Sequence, residues 1–125
     1  MASFIIEGGN KLSGCMEAGG SKNAVLPILS AAVLVEGISI LENVPDLKDV
    51  DLTLSILKSI GCRVERSKKT VTVDASDITG SNVASGLPGE IRSSITLLGA
   101  LLGRCGEVSI SYPGGSVTRL SNCIL

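Results

Sequence analysis

Histidine is absent from the 125 residues. That excludes histidine-ligated metals, serine–histidine and cysteine–histidine catalytic pairs, and a histidine general base within this chain. Tryptophan is absent too, and Phe4 and Tyr112 are the only aromatic side chains, so the stacking platforms of a single-stranded nucleic-acid binder are missing. No charge of one sign dominates: 11 basic against 12 acidic residues give a net charge of −1. No global field then draws DNA or an anionic membrane, and any anion site must be local. The longest apolar run, Ala24 to Val35, is interrupted by Pro27 and Ser30 and falls well short of the ~20 residues of a membrane span. The start, MASFIIEGGNK, lacks the charged lead and long apolar core of a secretion signal. A cytoplasmic protein with neither nucleic acid nor membrane as partner is the expectation. Cys15, Cys62, Cys105 and Cys123 show no C-x-x-C spacing, and read as reduced thiols rather than zinc ligands or a redox motif. No metal and no cofactor are expected.

What remains is a chain that is 44% hydrophobic and 18% charged, the balance of a folded domain with a core of Leu, Ile, Val and Ala. Its length suits one domain, or part of a larger one. SFIIEG and KLSGCMEA read as two short strands around Gly8-Gly9-Asn10. From Ser21 to about Val35, Leu26, Leu29 and Val33 recur at helical spacing. ISILENV alternates as a strand; Pro45 and Asp46 then open a second helix, LKDVDLTLSILKSIG, with Gly61 in the C-terminal cap place. RVERS and TVTVDASDI form a hairpin around Lys68-Lys69, with alternating valines on one face. After a Gly- and Ser-rich connection, GEIRSSITLLGALLGRCG reads as a helix and EVSISY as a strand. The helix-then-strand order thus begins again, as in a repeat whose second copy is cut short. The expected class is α/β, with the hairpin making the sheet mixed rather than wholly parallel.

Three stretches could carry chemistry. In GGSKN, Ser21 is placed to cap the first helix through its hydroxyl, Gly19-Gly20 permits close approach to the backbone, and Lys22 adds a full charge to the positive end of the helix dipole. An anion site and an ordinary capped helix with a solvated lysine both fit, and no G-x-x-x-x-G-K-[ST] loop is present. Arg92 opens the third helix against the local dipole, which either a bound anion or a contact with Glu90 or Glu65 would offset. YPGGS, residues 112 to 116, has the composition of a turn that could also cover a ligand.

Taken together, GGSKNAVLPIL, LENVPDLKDVD, LKSIGCRVER and IRSSITLLGALLGRCGEVSISYPGG resemble the UDP-N-acetylglucosamine 1-carboxyvinyltransferases, enolpyruvyl transferases that begin peptidoglycan synthesis and so serve cell-wall biogenesis and cell shape. The resemblance spans nearly all of residues 1 to 115. It implies βαβαββ repeat units of an inside-out α/β barrel, with the second unit truncated here, and substrates held in a cleft between two domains. The sugar 3′-hydroxyl attacks the enol carbon of phosphoenolpyruvate, and phosphate leaves from a tetrahedral intermediate. It further implies that Lys22 pairs with phosphoenolpyruvate, that Asn23 hydrogen-bonds the sugar of UDP-N-acetylglucosamine, and that Arg92 holds a substrate phosphate or carboxylate. The sister shikimate-pathway enzyme, 3-phosphoshikimate 1-carboxyvinyltransferase, has serine where this chain has Asn23. A nucleotide-sugar binding or interaction module without catalysis is the other alternative.

Ser116 stands where the family carries a mobile-loop cysteine or aspartate; the cysteine acts as an acid and is alkylated by fosfomycin. A serine hydroxyl has neither the acidity nor the nucleophilicity of a thiol. Arg119 is not at the spacing of the family's loop arginine. Residues 1–115 are therefore read as a partial enolpyruvyl transferase domain and 116–125 as an atypical tail. A frameshift would explain that tail: Leu120 to Ile124 can be encoded so that the shifted frame reads Ile-Glu-Leu-His, as the family continues, and gene sequence beyond this point checks it. The family's second domain supplies the catalytic aspartate and a further arginine, so no turnover is expected of this chain alone, and surface left uncovered by truncation is expected to drive homo-oligomerisation.

Overall fold

The computed structural model describes residues 3–80, 82–83, 91–111 and 117–121. Helix α1 (Lys22–Ala32) is followed by strand β1 (Ile38–Leu41), helix α2 (Lys48–Ser59) and the hairpin β2 (Arg63–Ser67) and β3 (Thr70–Asp74). Strand β4 (Asn82–Val83), helix α3 (Ile91–Cys105), β5 (Glu107–Ser111) and β6 (Val117–Ser121) complete the order. The α/β class read from the sequence is the one observed.

Two three-stranded sheets form, in the orders β1-β3-β2 and β4-β5-β6. In the first, β3 is central and antiparallel to both neighbours, with Ile40 opposite Thr72 and Val64 opposite Val73. The hairpin turns at Lys68-Lys69 as expected, with Lys68 in the left-handed region at φ 53°. The second sheet is mixed: β4 runs parallel to β5 across the α3 crossover, and β6 runs antiparallel to β5. Residues 117–121, assigned by sequence to the tail, are that last strand.

Alternation on β3 turns Val71 and Val73 inward, both fully buried, because successive strand residues face opposite sides. They belong to one core cluster with Leu29 of α1 and Val33 at its C-cap, Val50, Leu54 and Leu57 of α2, Leu97 and Leu101 of α3, and Val108 of β5. Burying each such side chain contributes about 1.5–3 kcal/mol, so the three helices and both sheets are held by one continuous interior.

Residues 3–20 depart from the expectation of two strands. They carry no regular structure, and Phe4, Ile5, Ile6, Leu12 and Met16 are between 87% and 94% exposed. The apolar pattern is real, but a two-stranded hairpin without a third strand or a helix to lie on is marginal in water. The core face of the first sheet is already covered by helices, and these residues find no place on it. Two boundaries also shift: α1 ends at Ala32 rather than near Val35, and α2 begins at Lys48 with extended Leu47 ahead of it rather than at Pro45-Asp46.

Candidate functional site

The GGSKN stretch enters α1 through a tight contact. A side chain at Gly20 would overlap the carbonyl oxygen of Asn43 and press on Pro45, whereas Gly19 faces open space. The close approach that Gly20 permits is thus to the chain's own β1–α2 connection, not to a ligand. Ser21 sits at the N-cap with extended backbone (φ −87°, ψ 127°) but makes no side-chain capping bond, contrary to the expected hydroxyl cap. Its carbonyl instead accepts the Ala24 and Val25 amides at 3.2 and 3.0 Å. The Ser21 side chain therefore does not cap the N-terminal turn of α1, and Lys22 and Asn23 there are exposed.

Lys22 Nζ forms an ion pair with Asp49 Oδ2 in the first turn of α2. That pair places the N-terminal ends of α1 and α2 side by side. Helix α3 lies on the other flank of α1 and runs in the same direction: the Ser30 hydroxyl bonds Thr96 Oγ1 at 3.2 Å, and Arg104 near the end of α3 pairs with Glu36 beyond the end of α1 at 3.0 Å. Three helix N-termini consequently open toward one end of the layer. The helix dipoles put a partial positive charge at this end, set against the Asp49 and Asp51 carboxylates in the first turn of α2.

Two neighbouring carboxylates are held by one arginine. Arg66 donates from Nη1 to Asp51 at 2.6 Å, from Nη2 to the Pro45 carbonyl at 3.1 Å, and pairs with Asp46 at 3.3 Å. With Asp46 and Asp51 held by Arg66, Lys22 has Asp49 as its counter-ion. Sequence reading missed Asp49, because nothing in the spacing of residues 22 and 49 says that two helix starts will abut. The signal available was an aspartate in the first turn of α2, which the helix dipole alone explains.

Arg92 is the second residue of α3, which puts its backbone at the same end as Lys22; its side chain lies outside the described ones. Ser116 and the YPGGS stretch also lie outside the described residues, as do Glu90 and Cys123, while Glu65 is an exposed residue on the outward face of β2. A separate groove of about 440 Å³ is lined by Ser76, Asp77, Thr79, Arg104 and Cys105, at the opposite, C-terminal end of α3. Close to it, Cys62 is buried, and that burial, with Asp74 and Cys105 adding to it against Arg104, pushes its thiol up. The Asp74 carboxyl is held low by hydrogen bonds from the Ser76 hydroxyl and amide at 2.6 and 3.0 Å. Cys15, Cys62 and Cys105 are free thiols, and no group of metal-ligating side chains occurs among the described residues. No described helix is long and apolar enough to cross a membrane.

The family model of EPSP synthase (3-phosphoshikimate 1-carboxyvinyltransferase) matches residues 6–119. Among curated proteins, the chain is 47% identical over 115 residues to UDP-N-acetylglucosamine 1-carboxyvinyltransferase 2 of Caldanaerobacter subterraneus subsp. tengcongensis, covering 92% of this chain and 28% of that protein. It is 41% identical over 116 residues to the protein of the same name from Clostridium acetobutylicum, again covering 92% of this chain and 28% of the relative. The chain thus spans little more than a quarter of the length of these relatives. Among solved structures, it is similar to the enolpyruvyl transferase NikO from Streptomyces tendae, with a TM-score of 0.70 and 31% identity over 85% of this chain and 25% of that one.

Proposed function

The chain belongs to the EPSP synthase family of carboxyvinyltransferases, and from that premise we propose that it carries part of the substrate site of a UDP-N-acetylglucosamine 1-carboxyvinyltransferase. The reaction transfers the enolpyruvyl group of phosphoenolpyruvate to the 3′-hydroxyl of the nucleotide sugar. The sugar oxygen bonds the enol carbon and gives up its hydroxyl proton while the methylene carbon takes one; the C–O bond to phosphate then breaks as the resulting methyl carbon loses a proton, restoring the enol double bond. In this reading the product enters peptidoglycan synthesis in the cytoplasm. The names of these curated relatives favour this substrate over shikimate phosphate, as does Asn23 in place of the sister enzyme's serine.

The observation that carries the proposal is the exposed pair Lys22 and Asn23 on an uncapped helix start, beside the start of α2. Lysine there supplies a mobile point charge for a phosphate, and the amide ends of the helices supply fixed donors. Asn23 presents both a donor and an acceptor, as a sugar hydroxyl or amide requires. Arg92, in the first turn of α3, is assigned to the same anionic substrate groups. Ser116 takes the place of the family's loop acid, where an aliphatic hydroxyl is a far weaker acid than a thiol. Binding by this chain is therefore expected without turnover.

Calorimetric titration with UDP-N-acetylglucosamine, repeated on Lys22→Ala and Asn23→Ala, tests this. Heat of binding that is lost in both variants supports the proposal; the absence of any heat, or binding indifferent to both changes, refutes it. We also propose self-association through the exposed side chains of residues 3–20, since clustered apolar surface promotes it. A monomeric sedimentation profile at high concentration would contradict that.

A further inference from the structure

The ion pair between Lys22 and Asp49 has a use within this site. Both side chains are about half exposed, 50% and 46%, and ion pairs of that kind are worth little because water and salt screen them. The pair can hold the ammonium over the junction of α1 and α2 without locking it there. Asp49 is itself settled in the first turn of α2, where the dipole favours its charge, and the Thr53 hydroxyl donates to its backbone carbonyl at 2.8 Å. Its backbone is thus held within α2 independently of Lys22. Asp46 and Asp51, its acidic neighbours in and just ahead of α2, are held by Arg66.

We propose that Asp49 is the exchangeable counter-ion of Lys22: a positioning residue that orients the ammonium in the empty site and that a phosphate-bearing ligand displaces on binding. The inference rests on the anion-binding reading of Lys22 given above and adds a residue to it. Displacement carries a cost, since the carboxylate competes for the ammonium and also repels the incoming anion. Removing it tightens anion binding, by no more than about fivefold for an exposed pair, and frees the lysine side chain.

The test is titration of the 125-residue protein with inorganic phosphate at low ionic strength. Affinity and the Lys22 side-chain NMR resonances are followed together in the parent, Asp49→Asn, Asp46→Asn and Lys22→Ala proteins. Asp46→Asn changes net charge identically but touches only Arg66, whose stronger partner Asp51 remains. The expected result is two- to fivefold tighter phosphate binding in Asp49→Asn only (about the worth of one exposed pair), with the Lys22 resonances moved by that substitution and, in the parent, by phosphate. Lys22-dependent binding that Asp49→Asn fails to tighten, or that Asp46→Asn tightens equally, overturns the counter-ion role and leaves the anion reading standing. Phosphate binding that is absent, or unaffected by Lys22→Ala, in both the parent and Asp49→Asn overturns the anion reading and this inference with it.

Discussion

Residues 3–18 and the strand runs within residues 38–74 (β1, β2 and β3) read alike, as short alternating runs bounded by turn residues, yet only the second set folds into a sheet. In the second region Val71 and Val73 are fully buried, while in the first Phe4 and Ile5 are each 91% exposed. Propensity does not separate them. The strand β3 has β1 on one side, β2 on the other and a helix layer beneath, so every alternation on it is rewarded by burial. The first region has none of these neighbours. Alternation thus predicts which face of a strand would be apolar, not whether anything is there to receive it.

The contrast can be tested from its largest expected effect downward. Cys15 and Cys62 lie on either side of it, one exposed and one buried with its thiol pushed up by that burial. Alkylation under native conditions should modify Cys15 at the rate of an ordinary thiol. Cys62 should be slower by at least about a thousandfold, since its reaction requires a costly opening of the core and a thiolate that burial disfavours. Mass mapping of the labelled cysteines reads this, and comparable rates would mean that the interior of the second region is not closed. Next, Leu57→Ala should lower unfolding free energy by about 2–5 kcal/mol in urea, and Phe4→Ala by no more than about 0.5 kcal/mol. A large loss from Phe4→Ala would show that residues 3–18 do pack on something in solution.

The smallest effect sharpens the border between the regions. Gly20→Ala drives a methyl group against the Asn43 carbonyl and should cost about 1–3 kcal/mol, while Gly19→Ala, which faces open space, should stay within about 0.5 kcal/mol. Equal costs would mean that the β1–α2 connection yields to the methyl group, and that the chain ahead of α1 is not pinned there.

Part of the proposed site could be named before the structure. Lys22 and Arg92 come from asking which charged residues open a helix, because capping and dipole chemistry are local, whereas Asn23 comes from the family resemblance alone. The local part also misled. Ser21 has the right identity and position for a hydroxyl cap and does not make one; its backbone alone begins the helix. Gly20 has the look of a ligand loop and serves an internal contact. Asp49 was invisible as a partner, since its role depends on two helix ends meeting between residues 27 positions apart in the chain (22 and 49).

The sequence by itself determined the α/β order, the hairpin turn at Lys68-Lys69, the inward valines of β3 and the family, because periodicity, turn residues and short motifs are properties of neighbouring residues. Tertiary structure alone decided that α1, α2 and α3 open toward the same end, that Lys22 rests on Asp49 while Arg66 takes Asp46 and Asp51, and that the alternating residues before α1 stay exposed. Those outcomes turn on which surfaces meet, and the free energy of meeting is set by the burial and charge of both partners, of which any one stretch of chain contains only one.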